Sequence, residues 1–150
     1  MASRKSPRRS GRRLAFQVLY GLAASKRSDC DKAFEDNPAV QEQGEGPALD
    51  FARDLACGAW GRRDELDEVI ARFSRHWKVE RIAKVELAIL RLGLYEILHC
   101  GDTPLKVAIN EAVELAKRFG DENSRTFING ILDAAAKAVD HGELGVRGRG

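Results

Sequence analysis

Between Val79 and His99, apolar residues fall around much of a helical circumference. Ile82, Val85, Ala88, Ile89, Leu92 and Tyr95 recur at intervals of three and four, leaving little polar surface to face water. A helix of that kind is stable only at the centre of a fold, wrapped by other helices. The rest of the chain can supply them, because almost every long segment keeps the helical period and no run alternates apolar and polar long enough to make a convincing strand. The expected fold class is therefore all-α, a compact bundle of six or seven helices. With 150 residues, 43% of them hydrophobic, the chain has enough apolar surface for one domain with a real core.

The first wrapping helix should run from Ser10 or Arg12 to Ala24, with Ala15, Val18, Leu19 and Leu22 as its core stripe. On the same wheel Arg9, Arg13, Phe16, Gln17 and Tyr20 cluster on the outward side. In the alternative, Phe16 and Tyr20 belong to the core and only the arginines are exposed. A short helix follows around Asp31–Asp36, and Pro38 to Pro47 reads as a loop. From Ala48 the helical pattern resumes through Leu55 and Ala56, Gly58 and Gly61 mark a break, and Leu66, Val69, Ile70 and Phe73 define the next stripe. Cys100-Gly101-Asp102 ends the central helix, and Thr103-Pro104 opens another that reaches Phe119. Gly120 and Asp121 turn the chain into a last helix, about Asn123 to Val139, that buries Phe127, Ile131, Leu132 and Ala135. Gly130 inside it costs about 1 kcal/mol against alanine and predicts a close backbone approach.

Charge is distributed unevenly. Arg4, Lys5, Arg8, Arg9, Arg12, Arg13, Lys26 and Arg27 all precede Asp29, the first acidic residue, so a total of +2 leaves −6 for residues 29–150. Six of those eight cations crowd into residues 4–13, a density that repels itself unless an anion lies alongside, and the phosphate backbone of nucleic acid is the commonest such anion. Aromatics on the same helix sharpen the reading, because single-stranded RNA exposes base faces that stack on Tyr or Phe. The alternative is a solvated, disordered tail. Residues 1–11 are expected to be a flexible basic arm, 12–140 the helical domain, and 141–150, rich in glycine, a disordered tail.

Other classes lack support. No stretch approaches the roughly 20 apolar residues of a membrane span, and the basic N-terminus has no secretory cleavage site, so a cytoplasmic protein without membrane contact is expected. Cys30, Cys57 and Cys100 are odd in number and widely spaced, which reads as reduced structural thiols. His76, His99 and His141 form no i, i+4 pair, and no phosphate-binding loop or nucleophile motif appears, so neither a metal, a cofactor nor catalysis is indicated. Glu111 and Glu114, three apart on one helix, lack an E-x-x-H partner and read as a solvated face rather than a metal or acid–base pair.

LRLGLYE at 90–96, DTPLKVAINEAVELAKRFG at 102–120 and SRTFINGILD at 124–133 resemble the bacterial NusB family of transcription antitermination factors, and RRLAFQVLY at 12–20 and FARDLACG at 51–58 join them in the same order. The resemblance spans about residues 9–140. It implies two packed helical sub-bundles with an arginine-rich arm, binding to single-stranded boxA RNA together with the ribosomal protein NusE, and assembly with RNA polymerase, NusA and NusG to suppress termination on ribosomal RNA operons. Carried over residue by residue, it points to Arg8, Arg9 and Arg12 of the arm, with Gln17 and Tyr20 of the first helix; Arg13, on the same outward cationic face, joins them as a candidate RNA contact from the wheel and not from the resemblance. The resemblance also points to Lys106, near the start of the helix opened by Thr103-Pro104, and to Phe119, Asn123, Ser124 and Phe127 around the turn before the last helix, which the family brings beside the arm. There a helix N-terminus would offer N–H groups to phosphate and Phe119 a face to a base. INE at 109–111 and NG at 129–130 read as packing and hydrogen-bonding positions.

Two departures bear on affinity. Many relatives carry an acid where Arg13 and Asn123 stand, so this chain presents less negative charge to RNA and is expected to bind it more tightly. Two other readings compete. One is the RNA-recognition domain of a ribosomal RNA cytosine methyltransferase, which would need a cofactor-binding domain with a catalytic cysteine after residue 140; an end at Gly150 counts against it. The other is a homodimer that buries the arm until NusE competes.

Overall fold

The computed structural model describes residues 7–75 and 78–144, which form eight α-helices and one 3-10 turn and contain no strand. The described residues fall into two compact units, divided between Gly61 and Arg62. The number of helices exceeds the expected six or seven because a local cap starts one where a loop was expected.

In the first unit, α1 (Pro7–Ala24) packs chiefly against α4 (Pro47–Gly61), with α2 (Cys30–Asp36) and α3 (Pro38–Gln43) alongside. The stripe Ala15, Val18, Leu19 and Leu22 is buried as expected. α1 starts earlier than expected, at Pro7, whose fixed φ and missing N–H suit a first helical position. Residues 7–11 of the expected arm are thus helical; residues 1–6, like 145–150 of the expected tail, lie outside the described residues. The expected loop after Pro38 begins instead with α3, because Asn37 caps it, its side-chain oxygen accepting from the Ala39 N–H at 2.9 Å, and Pro38 occupies the first turn. α4 continues through Gly58, and its Trp60 indole N–H donates to the Ser28 carbonyl at 2.9 Å.

The second unit holds α5 (Arg63–Phe73), a 3-10 turn at Val79–Arg81, α6 (Lys84–His99), α7 (Leu105–Phe119) and α8 (Glu122–Asp140). The long apolar segment is thus shorter as an α-helix than expected, since Ile82 and Ala83 are extended between the 3-10 turn and α6. It is central within its unit: α6 packs on α5, α7 and α8, and Ile89, Leu90, Leu92, Leu94 and Ile97 are fully buried. Each such side chain contributes about 1.5–3 kcal/mol of transfer free energy. Of the charged residues in this helix, the buried Arg91 is matched across the unit: it donates from Nε and Nη2 to the two carboxylate oxygens of Asp67 on α5, at 2.9 and 2.7 Å.

Close helix approach is made at Gly93, not Gly130. A methyl at Gly93 would lie 2.8 Å from Leu132 Cδ1, whereas one at Gly130 meets nothing. Gly130 and Asn129, expected to pack, are exposed on α8.

Candidate nucleic-acid interface

On α1 the predicted cationic face divides in two. Arg8, Gly11, Arg12 and Ala15 are spaced i, i+3, i+4, i+7, so the core-facing stripe begins a full two turns before Ala15, and its first members are arginines. They meet Phe51 of α4: the guanidinium carbons of Arg8 and Arg12 lie 4.9 and 5.4 Å from the ring centroid. Gly11 makes room, since a methyl there would come within 2.7 Å of Phe51 Cδ2 and 2.9 Å of the Ala48 carbonyl oxygen. Arg8 is exposed, but Arg12 is only 5% exposed and acts as part of the packing.

The other cations face outward. Arg9 is exposed, and Arg13 and Gln17 are half-buried. The two aromatics do not share one fate: Phe16 is 3% exposed and belongs to the core, while Tyr20 is 39% exposed. Phe16 sits at the edge of the apolar stripe, and the Tyr20 ring stacks on it at 6.1 Å and 24°, so the tyrosine roofs the phenylalanine and keeps an outer face for a ligand.

The second patch is built on the turn between α7 and α8. At the end of α7 the half-buried Phe119 ring lies 5.5 Å from the Arg118 guanidinium carbon, whereas the exposed Lys106, in the first turn of α7, stands about 20 Å away along the helix and is not brought to this turn. Asn123 is exposed and lines a shallow depression with Lys117, Arg125, Thr126 and Asn129. Phe127 is half-buried, between the core and contact alternatives.

Ser124, expected at the RNA face, has a structural task as well. It is 4% exposed and forms a capping box with Asp121: the Ser124 N–H donates to Asp121 Oδ1 at 2.9 Å, and the Asp121 N–H donates to Ser124 Oγ at 3.3 Å. Its hydroxyl donates to Glu86 Oε2 of α6 at 2.7 Å, so the α8 terminus is tied to the central helix. The Asp121 carboxyl is held below its ordinary range by the Ser124 backbone N–H, then by the Ser124 hydroxyl. A carboxylate therefore already answers the N–H group that the sequence reading offered to phosphate.

Phe51 and Arg118 are the side chains that sequence reasoning missed. The i, i+4 spacing of Arg8 and Arg12 was the available signal, but the partner ring lies on another helix. Among the described residues no cluster of three or more His, Cys, Asp or Glu can hold a metal ion, and no helix is long and apolar enough to cross a membrane.

Residues 9–137 match the model of the NusB family, which is most of the chain. The chain belongs to the NusB family. Among its relatives, the transcription antitermination protein NusB of Oleidesulfovibrio alaskensis is 53% identical, with 93% of each chain covered. NusB of Nitratidesulfovibrio vulgaris strain DP4 is 48% identical over 96% of this chain and 97% of its own. The fold is similar to that of T. maritima NusB, with a TM-score of 0.81 at 36% identity, covering 89% of this chain and 93% of that one. It is also similar to NusB solved with NusE and double-stranded RNA, with a TM-score of 0.78 at 28% identity, covering 88% of this chain and 97% of that one.

Proposed function

We propose that this chain is a non-enzymatic transcription antitermination factor that binds boxA RNA in its single-stranded form together with NusE, and that the complex joins RNA polymerase with NusA and NusG on ribosomal RNA operons. The observation that carries the RNA reading is the α1 surface, where Arg9, Arg13 and Gln17 share the outward face of the exposed Tyr20 and the exposed Arg8 extends the cationic surface toward α4. Cations for phosphate beside a ring for a base is the combination that unstacked RNA calls for. The NusB neighbour solved with NusE and RNA supports both partners.

Arg8, Arg9, Arg13, Gln17 and Tyr20 are the proposed contacts of the first unit, and Lys106, Phe119, Asn123 and Phe127 those of the second. Arg12 and Ser124 support them from beneath, one against Phe51 and the other in the α8 cap. Fluorescence-anisotropy titration of a boxA RNA and a scrambled control, with and without NusE, at two salt concentrations tests the proposal. Preference for boxA that NusE strengthens is the expected result. Equal, steeply salt-dependent binding to both RNAs, unmoved by NusE, would reduce α1 to a general polyanion binder.

A further inference from the structure

We infer that Phe51, an uncharged residue of α4, is a positioning residue for RNA: its ring holds the Arg8 guanidinium in place for contact, with Arg12 anchoring the arrangement from the buried side. The inference rests on the reading that α1 binds RNA. Three observations converge on this ring. The Arg8 and Arg12 guanidinium carbons lie 4.9 and 5.4 Å from its centroid. Gly11, between them in sequence, is the residue whose missing side chain lets the ring approach α1. The two arginines differ in exposure, Arg12 at 5% and Arg8 open to solvent, so one is set into the packing and the other reaches the surface.

The chemistry follows from the shape of the cation. A guanidinium held over an aromatic face keeps N–H donors in its plane, which still reach a phosphate or a base edge. An unsupported arginine must freeze several side-chain torsions when it binds, whereas one held on a ring has already lost much of that freedom. Phe51 thus raises affinity without touching RNA. Lysine at position 8 would not substitute, because it lacks the planar fork.

The test measures boxA affinity and its salt dependence for Phe51→Leu, Phe51→Met and Phe51→Tyr beside Arg8→Gln and the double substitution Arg8→Gln with Phe51→Leu. Leu and Met fill most of the space without a π face, and having both keeps the test intact should one fail to fold. Leu or Met is expected to weaken binding about three- to tenfold with helical content unchanged, and Tyr to restore it. The slope of log affinity against log salt should flatten by about 0.7 when one phosphate contact is lost. The double substitution should bind no more weakly than Arg8→Gln alone. A folded Leu or Met chain that binds boxA as the unaltered protein does, while Arg8→Gln is impaired, would overturn the role of Phe51 and leave the RNA reading standing. An unaltered protein that binds neither boxA nor the scrambled RNA would sink both.

Discussion

Single residues carry most of the difference between a cationic surface and a selective one. Arg13 and Asn123 both reach solvent, and if the proposed RNA surface includes them an acid at either position would repel phosphate. The double substitution Arg13→Glu with Asn123→Asp is expected to weaken RNA binding, by at most about 1 kcal/mol for each restored repulsion and less at high salt, as read by anisotropy. Unchanged affinity would show that neither position faces RNA. Glycines give a second residue-level prediction, opposite in sign at two positions. Gly130→Ala, in open space on α8, should stabilise the protein by about 0.5–1 kcal/mol in a denaturant melt. Gly93→Ala should destabilise it, because the added methyl presses on Leu132 and Ala112. Composition cannot tell these two glycines apart; only the neighbouring helix does.

At the level of elements, the α8 cap links pH to local order. Asp121 titrates lower in the folded protein than in the unfolded chain, so its contribution is complete above the ordinary carboxylate range and is lost as pH falls through the depressed folded value. Asp121→Ala should therefore lower the thermal midpoint at neutral pH, and the gap to the unaltered protein should close in acid; a gap that persists there would mean the cap works through packing alone. The α2–α4 contact gives a chemical counterpart. Burial pushes the Cys30 thiol well up and that of Cys57 in the same direction, and the two lie against each other beside Asp31, whose carboxylate accepts from the Cys57 thiol at 3.8 Å. Both thiols should resist iodoacetamide near neutral pH until the protein is unfolded, as mass spectrometry would read. All three cysteines are free, and the wide spacing that reads as separate structural thiols concealed that two of them meet. Element boundaries were misread for a related reason: Asn37-Pro38 is a strong cap and start signal, yet the QEQGEGP run behind it is so polar that its helix has almost no stripe to reveal it.

For the whole molecule, net charge is a poor guide to behaviour. The total of +2 conceals +8 in residues 1–28 and −6 beyond, so salt dependence of RNA binding should follow the local cations and not the total. Arg8→Gln with Arg9→Gln is expected to reduce the slope of log affinity against log salt by about 1.4, the value for two phosphate contacts, whereas Glu35→Gln with Glu45→Gln, on exposed acids of the same unit, should leave it nearly unchanged. Effects equal in size and opposite in sign from the two pairs would mean that only net charge matters. By itself the sequence determined the all-α class, the apolar centre at α6, the stripe of α1 and the charge asymmetry, because each follows from period and composition within a single segment. Tertiary structure decided what depends on a second segment. It put Phe16 in the core and Tyr20 outside, gave Ser124 to the cap and to Glu86, and set Arg8 and Arg12 on Phe51. A helical wheel ranks faces by direction, but whether a face meets solvent, a ring or a carboxylate is fixed by the helix that packs against it.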